Sequence, residues 1–125
     1  MTALRAPVGG ASFASPGWVR RVEPADGERL VLCDTPVVLL VSHALDPRSV
    51  NLDSVRVLDP LGDLPGRVRL SSDGRLLIWE CTELLVPGAL HTVRVSGLRD
   101  VSGVTVQDHE SRFTTCGLRR LDLFG

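Results

Sequence analysis

The chain has 125 residues, of which 43% are hydrophobic, and a formal net charge of −1 at pH 7. This length fits one domain with one apolar core, which argues against disorder of the whole chain. The fourteen cationic residues are all arginines and are scattered among fifteen acidic residues, so no basic stripe could follow a phosphate backbone and we expect no nucleic-acid partner.

The first seventeen residues are rich in Gly, Ala, Ser and Pro and carry few large apolar groups. Such a segment buries too little surface to offset its ordering entropy, so we predict a flexible arm at residues 1–17. It has no continuous apolar run of the kind that a secretory signal needs. The longest apolar run of the chain, Val37–Val41, is far shorter than the roughly 20 residues of a membrane helix, so we expect no membrane insertion. A cytoplasmic or assembly-associated location is favoured over secretion.

From Trp18 onward, short apolar segments alternate with turn residues, a pattern typical of a β-sandwich or barrel. Asp46 and Pro47 predict one helical turn, with Asp46 as its cap. Asp73 and Gly74 predict a hairpin turn. The predicted strand segments, in chain order, are 18–22, 29–32, 37–42, 55–59, 68–70, 76–79, 91–95 and 111–115. We therefore predict an all-β domain, a sandwich of about seven short strands, over residues 18–115, followed by a tail at 116–125.

The predicted core consists of residues at alternating or central-strand positions, which one face of a sheet should bury. These residues are Val22, Leu39, Val41, Val57, Leu70, Leu76, Ile78, Val93, Val95 and Phe113. Trp79 is expected to be buried or half-covered.

Several short motifs occur in an order that is similar to the bacterial Ig-like domain of surface-layer proteins, the SbsA-type Ig-like domain. They are Val22-Glu23-Pro24-Ala25-Asp26-Gly27, the stretch 41–50, Ser71-Ser72-Asp73-Gly74-Arg75-Leu76-Leu77, the stretch 85–93, Gly97-Leu98-Arg99-Asp100-Val101-Ser102-Gly103 and Phe113-Thr114-Thr115. The resemblance covers roughly residues 18–115 and implies an immunoglobulin-like sandwich that serves adhesion or spacing. His91 stands where the family usually has Tyr, so an imidazole must replace any hydrogen bond made by the phenol.

The residue types that carry catalysis or bind metals are present, but their spacing does not fit such sites. His43, His91 and His109 lack metal-ligand spacing, and we expect Ser42 and His43 to point to opposite faces as strand neighbours. We therefore expect no enzyme activity, no cofactor and no small-molecule substrate. A calcium site built from the aspartates of two turns stays an open alternative, although no Asp-x-Asp-x-Asp run supports it.

The three cysteines, Cys33, Cys81 and Cys116, are an odd number without metal-ligand spacing. Three thiols fit a reducing compartment better than a secreted domain, where cysteines usually pair. One disulfide with a leftover thiol is the alternative.

The tail combines its terminal position with an unusual density of apolar residues: Leu118, Leu121, Leu123 and Phe124. Exposed apolar residues at such density usually mark an interaction site, so we expect them to contact a partner protein. The alternative is that the tail folds back over the edge of its own sandwich. The sequence favours a non-catalytic accessory subunit that docks on or spaces the components of a larger protein assembly, such as a virion, a tail-like injection device or a membrane complex. A cell-surface adhesion or ligand-binding module is the alternative function.

Overall fold

The computed structural model describes residues 17–117, and these residues form an all-β sandwich, as predicted. The nine strands in this part of the chain are β1 (Val19–Glu23), β2 (Glu28–Val31), β3 (Val37–Val41), β4 (Val55–Asp59), β5 (Gly62–Asp63), β6 (Gly66–Leu70), β7 (Leu76–Cys81), β8 (Leu90–Val95) and β9 (His109–Thr115). The predicted arm and tail lie outside the described residues, apart from Gly17, Cys116 and Gly117.

The strands form two sheets that enclose one core. The four-stranded sheet has the order β1-β3-β7-β6, and the five-stranded sheet has the order β2-β9-β8-β4-β5. β1 and β2 are therefore edge strands, one in each sheet, on the same side of the sandwich. β2 runs parallel to β9, whereas the other strand pairs are antiparallel.

The local turn predictions are confirmed. The carboxylate of Asp46 accepts a hydrogen bond from the Arg48 amide at 3.0 Å and caps a 3-10 turn at Pro47–Ser49. Gly74 adopts φ +75° in the turn between β6 and β7, where the backbone of Leu45 would lie only 3.1 Å from a Cβ. A side chain at this position would be both strained and crowded.

The predicted core is largely correct. Val22 and Leu70 are partly buried against the core, and the fully buried members of the predicted set are Leu39, Val41, Val57, Val93, Val95 and Phe113.

The prediction for β7 was wrong by one residue, because Leu77 and Trp79 are buried while Leu76 and Ile78 are only partly covered. All four positions are apolar, so the sequence carries no alternation that could set the phase. The pairing with β3 sets it instead: Leu77 lies opposite the buried Leu39, and Trp79 lies opposite the buried Val37. Residues opposite each other on paired strands share one face of the sheet.

Gly66 makes the burial of Trp79 sterically feasible. A Cβ at residue 66 would lie 2.3 Å from the indole Cε2 of Trp79. The indole is 1% exposed and has little room to move away.

Among residues 17–117 there is no helix long and apolar enough to cross a membrane.

Candidate protein-interaction surface

The described chain ends beside β2. Val31 lies opposite Thr115 in the parallel pair of β2 and β9, and the Cys116 amide donates to the Val31 carbonyl at 2.9 Å. The Gly88 amide donates in turn to the Cys116 carbonyl, also at 2.9 Å. We call this part of the sandwich the exit end; it comprises residues 30–36, residues 82–90, and Cys116 with Gly117.

Four leucines of the exit end are exposed to solvent. Leu30 is 77% exposed, Leu32 41%, Leu84 53% and Leu90 49%. A single exposed leucine is ordinary on a protein surface, but several around one end of a domain form the kind of surface that binds other proteins.

Leu30 has an unusual backbone. Its φ of +59° makes it the one non-glycine residue with positive φ among residues 17–117. The pairing of β2 with β9 shifts register between Glu28 and Val31, so Leu30 lies in an irregular segment of the edge strand. A leucine in the left-handed region costs about 1–2 kcal/mol, and irregularities of this kind redirect side chains. The fold therefore tolerates strain at a residue whose side chain lies largely in solvent.

A groove of about 650 Å³ separates the end of β1 from β2 and is lined by Val22, Pro24, Leu30, Leu32 and Thr35, among others. We call it the edge groove. A depression of about 340 Å³ lies beside Leu84 and Val86, and a small one of about 90 Å³ lies between the two. The small depression shares Thr35 with the edge groove and Cys33 with the depression beside Leu84, so the three adjoin one another, and we call them together the concave surface.

The charge lining this concave surface is mostly negative. Glu23 and Glu28 line the edge groove, where Arg21 forms an ion pair with Glu23. Asp34, Glu80 and Glu83 line the small depression. An apolar surface with an acidic border suits a partner segment that combines apolar and basic side chains.

His91 holds the connection between β7 and β8 in place at this end. The buried imidazole stacks on Phe113, with the ring centroids 5.1 Å apart. The Val86 amide donates to its Nε2 at 3.3 Å, so Nδ1 carries the proton and donates to the Ala89 carbonyl at 3.0 Å. Burial lowers the pKa of this histidine, which favours the neutral ring. The imidazole thus makes two backbone hydrogen bonds.

Thr115 secures the same connection from β9. Its buried hydroxyl accepts from the Ala89 amide at 3.0 Å and donates to the Val86 carbonyl at 2.5 Å. Together, His91 and Thr115 fix the backbone on which Leu84 and Leu90 are presented.

The expectation that Ser42 and His43 point apart was wrong, because Ser42 Oγ lies 2.7 Å from His43 Nδ1. Both residues follow the end of β3 and lie in a bend, where strand alternation no longer applies. The charge of His43 helps to lower the pKa of Asp100, but hydrogen bonds from Ser102 are the largest cause. Asp100 Oδ1 also accepts from the Val104 amide at 3.0 Å, so this carboxylate serves its own turn. His43 is exposed, and the arrangement lacks the enclosed setting of a nucleophile with its base.

The aspartates of the turns are also engaged locally. Asp59 accepts from the amides of Leu61 and Gly62, and Asp73 accepts from the Arg75 amide. Within residues 17–117, no group of three His, Cys, Asp or Glu side chains is arranged to hold a metal ion.

Cys33, Cys81 and Cys116 are present as thiols in the structure.

The partner-binding residues predicted from the sequence, Leu118, Leu121, Leu123 and Phe124, lie outside the described residues. Sequence reasoning missed the exposed leucines of the exit end. The available signals were the leucines flanking Val31 and the doubled Leu84-Leu85 before the Pro87-Gly88 turn. Neither pattern reveals which leucine the fold leaves outside.

Comparison with known proteins relates this chain to solved structures only: no family model matches it, and neither does any curated protein. It is similar to the S-layer protein SbsC, with 18% identity and a TM-score of 0.58 over 73% of this chain and 13% of that chain. It is similar to CopC from Methylosinus trichosporium OB3b, with 19% identity and a TM-score of 0.61 over 79% of this chain and 92% of that chain. An L,D-transpeptidase from Mycobacterium smegmatis matches with 21% identity and a TM-score of 0.55 over 78% of this chain and 39% of that chain.

The chain thus spans only about an eighth of the S-layer chain that it matches. At these identities the likeness shows a shared β-sandwich fold. The S-layer likeness agrees with the resemblance seen in the sequence at the level of the fold, whereas membership in the SbsA-type family is not established by a family model.

Proposed function

We propose that this chain is a non-catalytic Ig-like accessory module that docks on other protein subunits of a larger assembly. The observation that carries the proposal is the exit end, where Leu30, Leu32, Leu84 and Leu90 are exposed around a concave surface, beside a connection that His91 and Thr115 hold by hydrogen bonds. The solved structures of similar fold include an S-layer protein, which is compatible with such a role.

The two termini of the domain support a role in spacing. The tail leaves from Gly117 at the exit end, and its apolar residues Leu118, Leu121, Leu123 and Phe124 would extend the same interaction surface. The arm joins the domain at Trp18. The Trp18 carbonyl accepts a hydrogen bond from the amide of Ser42, which directly follows the end of β3 that is farther from the exit end. Because the strands are about five residues long, these two attachment points are separated by roughly 17 Å of sheet. A module of this kind can hold two components at its opposite ends.

The positions of the tryptophans count against a carbohydrate-binding module. Sugar sites commonly use the open face of an aromatic ring. Trp18 is 3% exposed and Trp79 is 1% exposed, so both indoles belong to the core. This is why we place protein docking ahead of ligand binding or cell-surface adhesion.

The proposal is tested by comparing the proteins that co-purify with tagged variants from the source cells. Leu84→Asp combined with Leu90→Asp alters the exit end. Leu52→Asp combined with Val101→Asp alters exposed apolar residues near the opposite end, which are 50% and 70% exposed. We expect the exit-end variant alone to lose a defined set of subunits that the wild type retains. Equal retention by both variants would contradict the proposal.

A further inference from the structure

We infer that the edge groove receives the chain's own residues 118–125, which cover it in the isolated protein. This inference goes beyond the proposed function, because it concerns the free chain and does not require a partner.

The described chain ends close to the edge groove. The Cys116 amide is hydrogen-bonded to the carbonyl of Val31, the last residue of β2. The residue that follows Val31, Leu32, lines the edge groove. The segment 118–125 therefore starts within a few residues of the groove. Eight residues in an extended conformation reach about 26–29 Å, which is enough to turn at Gly117 and follow the groove beside β2.

Tethering favours the chain's own tail over a free competitor for the groove. A segment joined to its site by a short link competes at a millimolar effective concentration. A second copy of the chain, or a weakly held partner, would have to exceed that value to occupy the groove first. The chain's own tail is therefore favoured in the groove over the tail of a second copy of the chain.

The apolar residues of the tail match the apolar residues of the groove. The groove exposes Leu30 and Leu32, and the tail supplies apolar side chains on both faces of an extended segment, since alternate residues point to opposite sides. Leu121 and Leu123 share one face, so one face can enter the groove while Leu118 and Phe124 remain available on the other.

Charge follows the same pattern. The tail carries Arg119 and Arg120 next to its first leucine. The small depression of the exit end is lined by Asp34, Glu80 and Glu83, and Glu80 also forms an ion pair with Arg69. Opposite charges at this place favour an extended basic segment over an acidic one.

The test is a thermodynamic cycle on the isolated chain, combined with amide hydrogen exchange read by mass spectrometry. The first change deletes residues 118–125, and the second is Leu32→Asp, at a groove residue that is 41% exposed. We expect the deletion to increase exchange at residues 28–35 at least tenfold in the wild type and to have little effect in the Leu32→Asp background, because coupled sites are not additive. In a Val101→Asp background, at the opposite end, the deletion should have its full effect.

The inference would be overturned by unchanged exchange after the deletion, or by the same increase in the Leu32→Asp background. Protection that rises with protein concentration, together with a dimer in sedimentation, would overturn it in favour of a second copy. Because these measurements use the pure chain, their failure leaves the docking proposal standing, and loss of partner binding alone leaves this inference standing. Leu30→Asp serves as a second groove variant if Leu32→Asp does not fold.

Discussion

His91 makes the stability of the domain depend on pH in a defined range. Its ring is fully buried, and burial lowers its pKa from the usual 6.5, against smaller opposing contributions from the Ala89 hydrogen bond and the charge of Asp59. A histidine whose pKa is lowered in the folded state binds more protons when unfolded. The stability that it contributes is therefore complete above pH 6.5 and is lost progressively as the pH falls below that value.

The size of this effect is limited by the proton that the unfolded chain takes up. One fully neutral buried histidine changes the free energy of unfolding by at most about 1.4 kcal/mol per pH unit below its unfolded pKa. Between pH 7.5 and pH 5.5 the expected loss is therefore about 1 kcal/mol from His91. The carboxylates with lowered pKa values, such as Asp63 and Asp100, add their own dependence only near and below their usual value of 3.8. His109, whose pKa is also lowered by burial, contributes with the same sign.

The assay is urea unfolding, followed by the fluorescence of the buried tryptophans at several pH values. His91→Phe should lower the free energy of unfolding at pH 7.5 by about 1–3 kcal/mol, because the Val86 amide loses its acceptor, whereas the Ala89 carbonyl keeps the hydrogen bond from the Thr115 amide. The same variant should show a weaker pH dependence than the wild type. His109→Asn is the control, and its free energy of unfolding should retain the part of the pH dependence that comes from His91. A wild-type stability that is flat from pH 7.5 to 5.5, or an unchanged slope in His91→Phe, would refute the reasoning.

The other stability predictions concern single substitutions measured in the same assay. Phe113→Ala should cost about 3–5 kcal/mol, since the ring is 1% exposed and stacks on His91; a loss below 1 kcal/mol would show that it is not a core residue. Gly66→Ala should cost about 1–3 kcal/mol or more through its collision with Trp79, and unchanged stability would contradict the packing described. Leu30→Gly should leave stability within about 1 kcal/mol, because relief of the positive φ offsets the added backbone freedom, whereas a large loss would show that Leu30 supports the fold.

The fold could be predicted because its signals are local. The turn at Asp73-Gly74, the cap at Asp46 and the alternation of 91–95 each determine their own few residues, and together they specify an all-β chain. The phase of β7 could not be predicted, since Leu76, Leu77, Ile78 and Trp79 are all apolar and only the pairing with β3 decides which of them enter the core.

The interaction surface could not be predicted for the same reason. Leu30, Val31 and Leu32 are alike in hydrophobicity, yet only Val31 is buried. The exposure of Leu30 depends on a register shift against β9, a strand more than seventy residues later in the chain. The contact of Ser42 with His43 likewise depends on where β3 ends, which alternation alone does not reveal.

The most direct test of protein docking at the exit end is site-specific photo-crosslinking in the source cells. A photoreactive amino acid is placed at Leu84, at Leu90 or, as the control, at Val101, each in an otherwise unchanged chain. We expect Leu84 and Leu90 to form covalent adducts with the same partner subunit, identified by mass spectrometry, and Val101 to form none with it. Adducts at all three positions with unrelated proteins, or at Val101 alone, would contradict docking at the exit end.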